Sequence, residues 1–301
     1  MPRTALEVRQ TPGGFMSLED MFRGTGQRFY VHAGTGVDAA GYGSSPDAPV
    51  ASLDYAIGLC TADKGDTIIL MEGHAETTTA IAADVAGVRI IGLGTGRLRP
   101  ALTATTGASD LLGVSAANVS IENVRLVGAA SGVTALLNIA AADFVGERLV
   151  FEHGAAPVAA VTVTSAGHRF ELTDCQWRGT AAGPDYCILI EGSVDDWKVV
   201  RARADYSVSA GLDLAFLQSS FVMRGYQIVD PIIVGFDTLV IDINSSSAAV
   251  GDGVLIGGGS VASTGITIAN AHDLGGCAVI NHFVTDAVVA QGQVIPTATP
   301  N

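Results

Sequence analysis

Sixteen basic and thirty acidic side chains, six histidines and four cysteines are the raw material for chemistry in this 301-residue sequence. The charged residues that recur at regular intervals are Glu122, Arg125, Glu147, Arg148, Glu171, Asp174, Arg178, Lys198, Arg201 and Arg203. A cation site built on stacked chain segments needs three carboxylates at corresponding positions, because hard cations take several oxygen ligands. This set supplies no such triple. Glu122 and Glu147 do fall at corresponding positions with Arg125 and Arg148 nearby, which reads as an exposed ion-pair ladder. Glycoside hydrolysis needs two carboxyl groups about 5 to 9.5 Å apart, one of them kept protonated. The one adjacent Asp pair, Asp195-Asp196, reads instead as a turn ahead of Trp197.

The histidines His32, His74, His153, His168, His272 and His282 show no metal spacing. His74 stands in Glu72-Gly-His-Ala-Glu76, where two acids would raise its pKa and orient it; a solvated loop is the simpler expectation. Gly92-Leu-Gly-Thr-Gly96 and Gly257-Gly-Gly-Ser260 lack the spacing and the lysine of a phosphate cradle and read as tight corners. Asp38 and Asp47 flank a Gly-rich loop, the one place where a calcium ion would find two carboxylates. Trp177 and Trp197 sit at core-type positions, so no aromatic platform for a sugar is visible. These residues lead to the expectation that the protein is not an enzyme, with no catalytic or metal residue and no cofactor.

Composition narrows the partners. A formal net charge of −14 and a pI near 4.6 repel nucleic acid and anionic membranes. Charged residues are only 15% and glycine numbers 37, the balance of an all-β protein with many turns. Lysine occurs twice, as Lys64 and Lys198. The N-terminus has no apolar core of a secretory signal, and no stretch approaches a membrane-spanning length. Cys60, Cys175, Cys187 and Cys277 form no Cys-x-x-Cys and read as free thiols made in a reducing cytoplasm, two disulfides being the alternative.

The elements that position these side chains come from a repeat. The pattern apolar-x-apolar-x-x-apolar-x-apolar appears as Val119, Ile121, Val124, Leu126 and returns as Phe144, Gly146, Leu149, Phe151. Further copies are Phe170, Leu172, Cys175, Trp177, then Trp197, Val199, Ala202, Ala204, then Tyr226, Ile228, Pro231, Ile233. A last one is Val254, Ile256, Gly259, Val261. The steps are 25, 26, 27, 29 and 28 residues. Asp66-Thr-Ile-Ile-Leu-Met and Val88-Arg-Ile-Ile-Gly-Leu are plausible earlier rungs. Each copy alternates, shifts phase by one residue, then alternates again, as two short strands with a bend would. Helical repeats need about 33 to 45 residues, and no copy shows a leucine-rich pattern. The sequence therefore predicts an all-β fold, a single-stranded right-handed parallel β-helix whose inward residues stack into one core.

Both ends of such a rod need covering. Leu53, Ala56, Ile57 and Cys60 at helical spacing, with Ser52 able to start the helix, predict a short capping helix. The expected organisation is an extended N-terminal arm at 1–28, a strand and capping helix at 29–62, the β-helix at 63–262, and a C-terminal cap and extended tail at 263–301. The arm carries a net charge of +1 against −15 for the remainder. Arg3, Arg9, Phe15, Met16, Met21, Phe22, Arg23 and Arg28 are its candidate contacts with a partner.

Residues 29–77 carry a resemblance. Phe29-Tyr-Val-His-Ala-Gly-Thr-Gly-Val-Asp38, Gly41-Tyr-Gly-Ser-Ser-Pro46, Ala51-Ser-Leu-Asp-Tyr-Ala-Ile57 and Lys64-Gly-Asp-Thr-Ile-Ile-Leu-Met-Glu-Gly-His-Ala-Glu-Thr77 resemble the opening of viral pectate-lyase-like β-helix proteins. The resemblance implies the fold, and a place on a phage particle as head decoration, spike or fibre. With the short arm and acidic body it is most similar to a capsid decoration protein. The implied partners are the phage major capsid protein and further copies of itself, as a homotrimer on the virion's outer surface, with no nucleic acid or membrane. Pectate lyases, which the fold resembles, hold calcium with several Asp and use an Arg on the same sheet face as base. A tailspike-like polysaccharide depolymerase or lyase, or a carbohydrate-binding spike, is the alternative.

Overall fold

A computed structural model describes residues 7–10, 14–17, 26–105, 107, 109–130, 132–153, 158–179, 185–206, 215–236, 241–243, 252–262, 272–273, 278–280, 283–286 and 291–293. It is a parallel β-helix. Three long sheets run along the rod, and successive strands within each come from successive coils. The first sheet begins with Arg28–Val31 and Thr67–Leu70 and ends with Asp252–Ile256 and Ala278–Ile280. The second runs from Ala75–Thr78 to Phe283–Asp286, where Gln291–Gln293 pairs antiparallel and closes it. The third runs from Ile81–Ala83 to His272–Asp273. Among the described residues no helix is long and apolar enough to cross a membrane.

The phase shift within each rung has a simple backbone cause. Asn118, Asp143, Arg169 and Asp196 all have positive φ, between 56° and 61°, and each immediately precedes the first inward residue of its rung. Asn123, Arg148, Asp174, Arg201 and Asp230, with φ between 49° and 59°, precede the third inward residue in the same way. A left-handed residue turns the chain by one corner, and Asn and Asp tolerate that conformation better than most side chains. Each corner residue also donates its backbone N–H to the next coil, as Asp143 does to the His168 carbonyl (3.0 Å) and Arg148 to that of Thr173 (2.9 Å). The corner polar groups, which a sheet would leave unpaired, are thereby satisfied.

Inward residues stack in columns. Val119, Phe144, Phe170, Trp197 and Tyr226 occupy one column, all at most 1% exposed. Phe170 and Trp197 stack at 5.3 Å, and Trp197 and Tyr226 at 4.9 Å. A second column stacks Phe151 on Trp177 at 5.1 Å, with Phe216 edge-on to Trp177 at 5.4 Å. The first column's next position is Gly253, where an added Cβ would lie 2.2 Å from the Tyr226 ring; only glycine leaves room for the ring. The last rung therefore differs from the expected one. Gly253, Leu255, Gly258 and Ser260 align with the inward Tyr226, Ile228, Pro231 and Ile233, and Leu255 is fully buried while Val254 and Ile256 face outward. A one-residue slip exchanges the two faces of a strand, and two glycines hid the true register.

The N-terminal end is capped by α1 (Leu53–Leu59), which buries Leu53, Ala56 and Ile57. Ser52 Oγ accepts from the Tyr55 N–H at 3.3 Å. The arm is not wholly extended: β1 (Glu7–Gln10) and β2 (Gly14–Ser17) form an antiparallel hairpin, a separate two-stranded sheet. Cys60, Cys175 and Cys187 are free thiols; Cys277 and the tail at 294–301 lie outside the described residues.

Candidate functional site

The outward positions of the first two sheets gather most of the charged side chains that the sequence singled out. Strand pairing places Glu122 directly beside Glu147, and Glu147 beside Thr173, on the first sheet. On the second sheet Val127, Glu152 and Arg178 form one column, and Arg125, Val150, Gln176 and Arg203 the next. Arg148, Asp174 and Arg201 are corner residues between the two sheets rather than strand-face residues. Glu171 and Lys198 are directly paired neighbours on the first sheet.

Most of these charges are committed to one another. Glu122 accepts from Arg89 Nη2 at 2.8 Å and from Arg148, which also holds Glu147. Arg148 thus bridges the two adjacent glutamates and offsets their mutual repulsion, forming the expected ladder. Asp174 and Arg201 make a bidentate pair at 2.6 and 2.7 Å, and Asp143 and Arg169 a second with the same distances. The arginine hydrogen bonds hold both aspartates below the ordinary carboxylate range. Planar guanidinium forks favour this geometry, and it lets arginine occupy a left-handed corner between acids of the coils on either side.

Beside these acids Arg99, Arg125, Arg148 and Arg178 lie near enough to act on one another. Glu152 is shared by Arg125 Nη1 at 3.3 Å and Arg178 Nη2 at 3.4 Å. Arg99 donates from Nε to Asn123 Oδ1 at 2.9 Å. Arg125 Nε is buried without a hydrogen-bond partner among the described residues. Burial, then the neighbouring Arg178, Arg148 and Arg125, push the Arg99 pKa down. Positive charge is therefore concentrated locally on a strongly acidic chain. Glu122, Glu147 and Glu152 offset part of that charge, and the directly paired Glu122 and Glu147 share Arg148.

His74 corrects an expectation. It is 1% exposed, not a solvated loop residue. Its Nδ1 accepts the Ala33 N–H at 3.0 Å, so the proton sits on Nε2, which donates to Glu76 at 3.2 Å. Glu76 Oε2 also accepts the Leu53 N–H at 2.9 Å. The two residues staple the start of α1 to the first coil. Asp38 secures the same end of the helix, its carboxylate accepting from the Ala51 and Ser52 N–H groups and from Ser52 Oγ at 2.7–3.1 Å. Asp66, 3% exposed, holds the Gln27 and Thr61 N–H groups. Much of what looks like a motif in residues 29–77 is thus capping of the rod's end.

Asp196 sits at a corner and Asp195 donates its N–H to His168 Nδ1 at 3.1 Å, so the pair does not converge on a cleft. Trp177 and Trp197 are core residues. Arg28 lies in the first strand of the solenoid rather than in the arm. Arg9 is in β1, and Phe15 and Met16 in β2; Arg3, Met21, Phe22 and Arg23 lie outside the described residues, as does His282. Among the described residues no three His, Cys, Asp or Glu side chains gather to hold a metal ion.

Sequence reasoning missed a buried polar cluster. His153 is fully buried and its ring stacks on Tyr206 at 6.3 Å, while Cys187 Sγ lies 3.5 Å from the Tyr206 hydroxyl. Burial lowers the His153 pKa to about 4. His153 ends a strand whose pattern, Val-Phe-Glu-His, gave the signal: it is two residues on from the inward Phe151.

No family model matches the chain, and no curated protein matches it. Solved structures do. Pectate lyase Pel9A is 16% identical with a TM-score of 0.51, covering 88% of this chain and 78% of its own. A rhamnogalacturonan lyase is 10% identical with a TM-score of 0.45, covering 79% and 68%. ORF18 of Geobacillus virus E2 is 8% identical with a TM-score of 0.41, covering 77% and 57%. The first supports the parallel β-helix fold. It also corrects the expectation that the chain is not an enzyme: the chain shares a parallel β-helix fold with pectate lyase Pel9A, so the lack of a recognisable catalytic motif is no ground for excluding activity.

Proposed function

We propose that the protein is a capsid decoration protein of a phage, a stiff β-helix seated on the outer surface of the head and bound to the major capsid protein through its N-terminal arm. The observation that carries this reading is the β1–β2 hairpin, which forms its own sheet apart from the three sheets of the solenoid. A two-stranded hairpin is marginal alone in water, so a partner surface is the natural source of its stability. The resemblance of residues 29–77 to viral β-helix proteins supports the same reading. Binding only the assembled shell stabilises that shell by mass action, and many attached copies add avidity. Co-sedimentation with phage heads lacking the protein tests it. The full chain is expected to bind and a chain lacking residues 1–25 to stay in solution, the cut sparing the Arg28–Val31 strand. Failure of the full chain to bind heads would overturn the reading.

The arginine cluster favours a second reading, action on an anionic polysaccharide as a spike-like lyase or binding protein. Arg99, Arg125, Arg148 and Arg178 would engage carboxylates of the chain, on a fold shared with pectate lyase Pel9A. Incubation with polygalacturonate, read by new unsaturated chain ends and by retention on the immobilised polymer, tests this; Arg125→Ala should weaken either signal. No cleavage and no retention would remove it.

A further inference from the structure

Between the first and second sheets the chain turns in two residues at Asn123-Val124, Arg148-Leu149, Asp174-Cys175 and Arg201-Ala202. Nearer the N-terminal end of the rod the same corner is enlarged, and the eight residues Leu93 to Pro100 separate Arg89–Gly92 from Ala101–Ala104. The enlarged corner holds a 3-10 turn at Gly96–Leu98 and is tied to its surroundings on both sides. Leu93 donates its N–H to the Leu70 carbonyl at 2.9 Å, and the Leu98 carbonyl accepts from Gly73 at 2.8 Å. Asn123 Nδ2 donates to the Gly92 and Gly94 carbonyls at 2.8 and 2.9 Å, and its Oδ1 accepts from Arg99 Nε at 2.9 Å. Gly94 has a φ of 87°, and an added Cβ there would lie 2.7 Å from the Leu98 carbonyl oxygen. A corner held in this way meets a partner with little further ordering, which favours affinity.

Its side chains are not those of the other corners. Leu93 is 45% exposed and Leu98 51% exposed. Arg97 is exposed and makes no ion pair or side-chain hydrogen bond among the described residues. Residues 85–109 contain Arg89, Arg97 and Arg99 and no acid, on a chain of net charge −14. Arg89 is paired with Glu122, and Glu72 lies against the corner at Gly94, so Arg97 and Arg99 against Glu72 leave the tip at +1. Two exposed leucines beside a free guanidinium are matched by a surface that is apolar and acidic together. Nucleic acid offers the leucines nothing to bury against, and an anionic membrane repels the acidic body behind the tip. We propose that the Leu93–Arg99 corner is a docking site for an acidic segment of another protein, in which carboxylates stand beside apolar side chains. The proposal rests on neither the N-terminal arm nor polysaccharide binding, in which the two leucines have no part.

Fluorescence anisotropy of labelled synthetic peptides on the full chain tests it. A peptide alternating glutamate with leucine is expected to bind saturably with a Kd below about 1 mM. One alternating glutamate with serine should bind about tenfold more weakly, for want of apolar burial. Leu93→Ser and Leu98→Ser together should weaken the glutamate–leucine peptide about tenfold, and Arg97→Glu should weaken it and flatten its salt dependence. Val158→Ser, 46% exposed beside the third sheet, should leave binding unchanged. A glutamate–leucine peptide that does not bind overturns the proposal, as does one that binds the double leucine variant as tightly as the wild type. Retention of the full chain on phosphatidylglycerol vesicles, lost in that variant, also overturns it and makes the tip a membrane contact. Self-association in light scattering that the same variant abolishes overturns it in favour of a second copy as occupant. Circular dichroism checks the fold of each variant; should the double variant fail to fold, Arg97→Glu, which breaks no contact, is read by the same criterion.

Discussion

Replacing His153 offers a direct energetic test of the core. The ring is fully buried against Tyr206, and desolvation of the imidazolium lowers its pKa from 6.5 to about 4. Between those values the unfolded chain binds a proton that the folded chain does not. Stability contributed by the neutral ring is therefore complete above the unfolded value and declines as the pH falls towards the folded value. One pKa unit corresponds to about 1.4 kcal/mol, so the full window is worth about 3 kcal/mol. His153→Phe keeps a ring against Tyr206 and removes the titration. Urea unfolding followed by fluorescence of the buried Trp177 and Trp197 would be measured at several pH values from neutral down to about 4.5, most of the way through the window. The wild type should lose about 2–3 kcal/mol more than the variant over that range. Asp143 and Asp174 are held low by their arginines; their loss falls at lower pH and is common to both proteins. Parallel stability curves for the two chains would refute the reasoning.

Three other outcomes follow from the same structure. Trp197→Ala empties the middle of the Phe170–Trp197–Tyr226 stack and should cost about 3–5 kcal/mol in denaturant unfolding, whereas Arg203→Ala on the exposed face should cost about 0.5 kcal/mol or less. Asp38→Ala removes the acceptor for three donors at the start of α1 and should cost about 1–2 kcal/mol, with hydrogen exchange rising first at Ala51 and Ser52. Burial raises the Cys175 thiol to about 12 and the Cys187 thiol further, so both should resist maleimide in the native protein and react once it unfolds; rapid native labelling at either would contradict the burial.

Much of this architecture can be read from the chain because an inward column advertises itself. Phe144, Phe170, Trp197 and Tyr226 repeat at near-constant spacing, and a buried stack needs large apolar residues there. The signal fails where the column is completed by absence. Gly253 is inward because the Tyr226 ring fills its space, and a glycine carries no mark of direction. The corners are similar: Asn, Asp and Arg directly before inward residues look like ordinary polar neighbours until their left-handed backbone is seen. Outward charges could be placed by alternation, yet their pairing could not. Glu122 lies between Arg89 and Arg148, residues 33 and 26 positions away, and which partner wins depends on coil length and rotamer. The His74–Glu76 staple was hidden for the same reason, since the Leu53 N–H that completes it belongs to another element. The hairpin in the arm needed only Pro12-Gly13 between two short runs, a turn signal too weak to outweigh the polar surroundings.

The two corners that flank the first sheet keep a fixed separation: Asn118 and Asn123, Asp143 and Arg148, Arg169 and Asp174, Asp196 and Arg201 are each five residues apart, as are Gly225 and Asp230. All growth in repeat length, from 25 to 29 residues, therefore occurs elsewhere in the coil. The first sheet acts as a ruler, while the stretches after the second sheet and after the third sheet both vary in length. A foreign peptide or binding loop spliced between Gly179 and Asp185, or between Tyr206 and Ala215, leaves the ruler untouched, whereas one extra residue between Asp143 and Arg148 would exchange the inward and outward faces of that strand. Diversification of such a protein, by selection or by design, has its room in the connections outside the first two sheets.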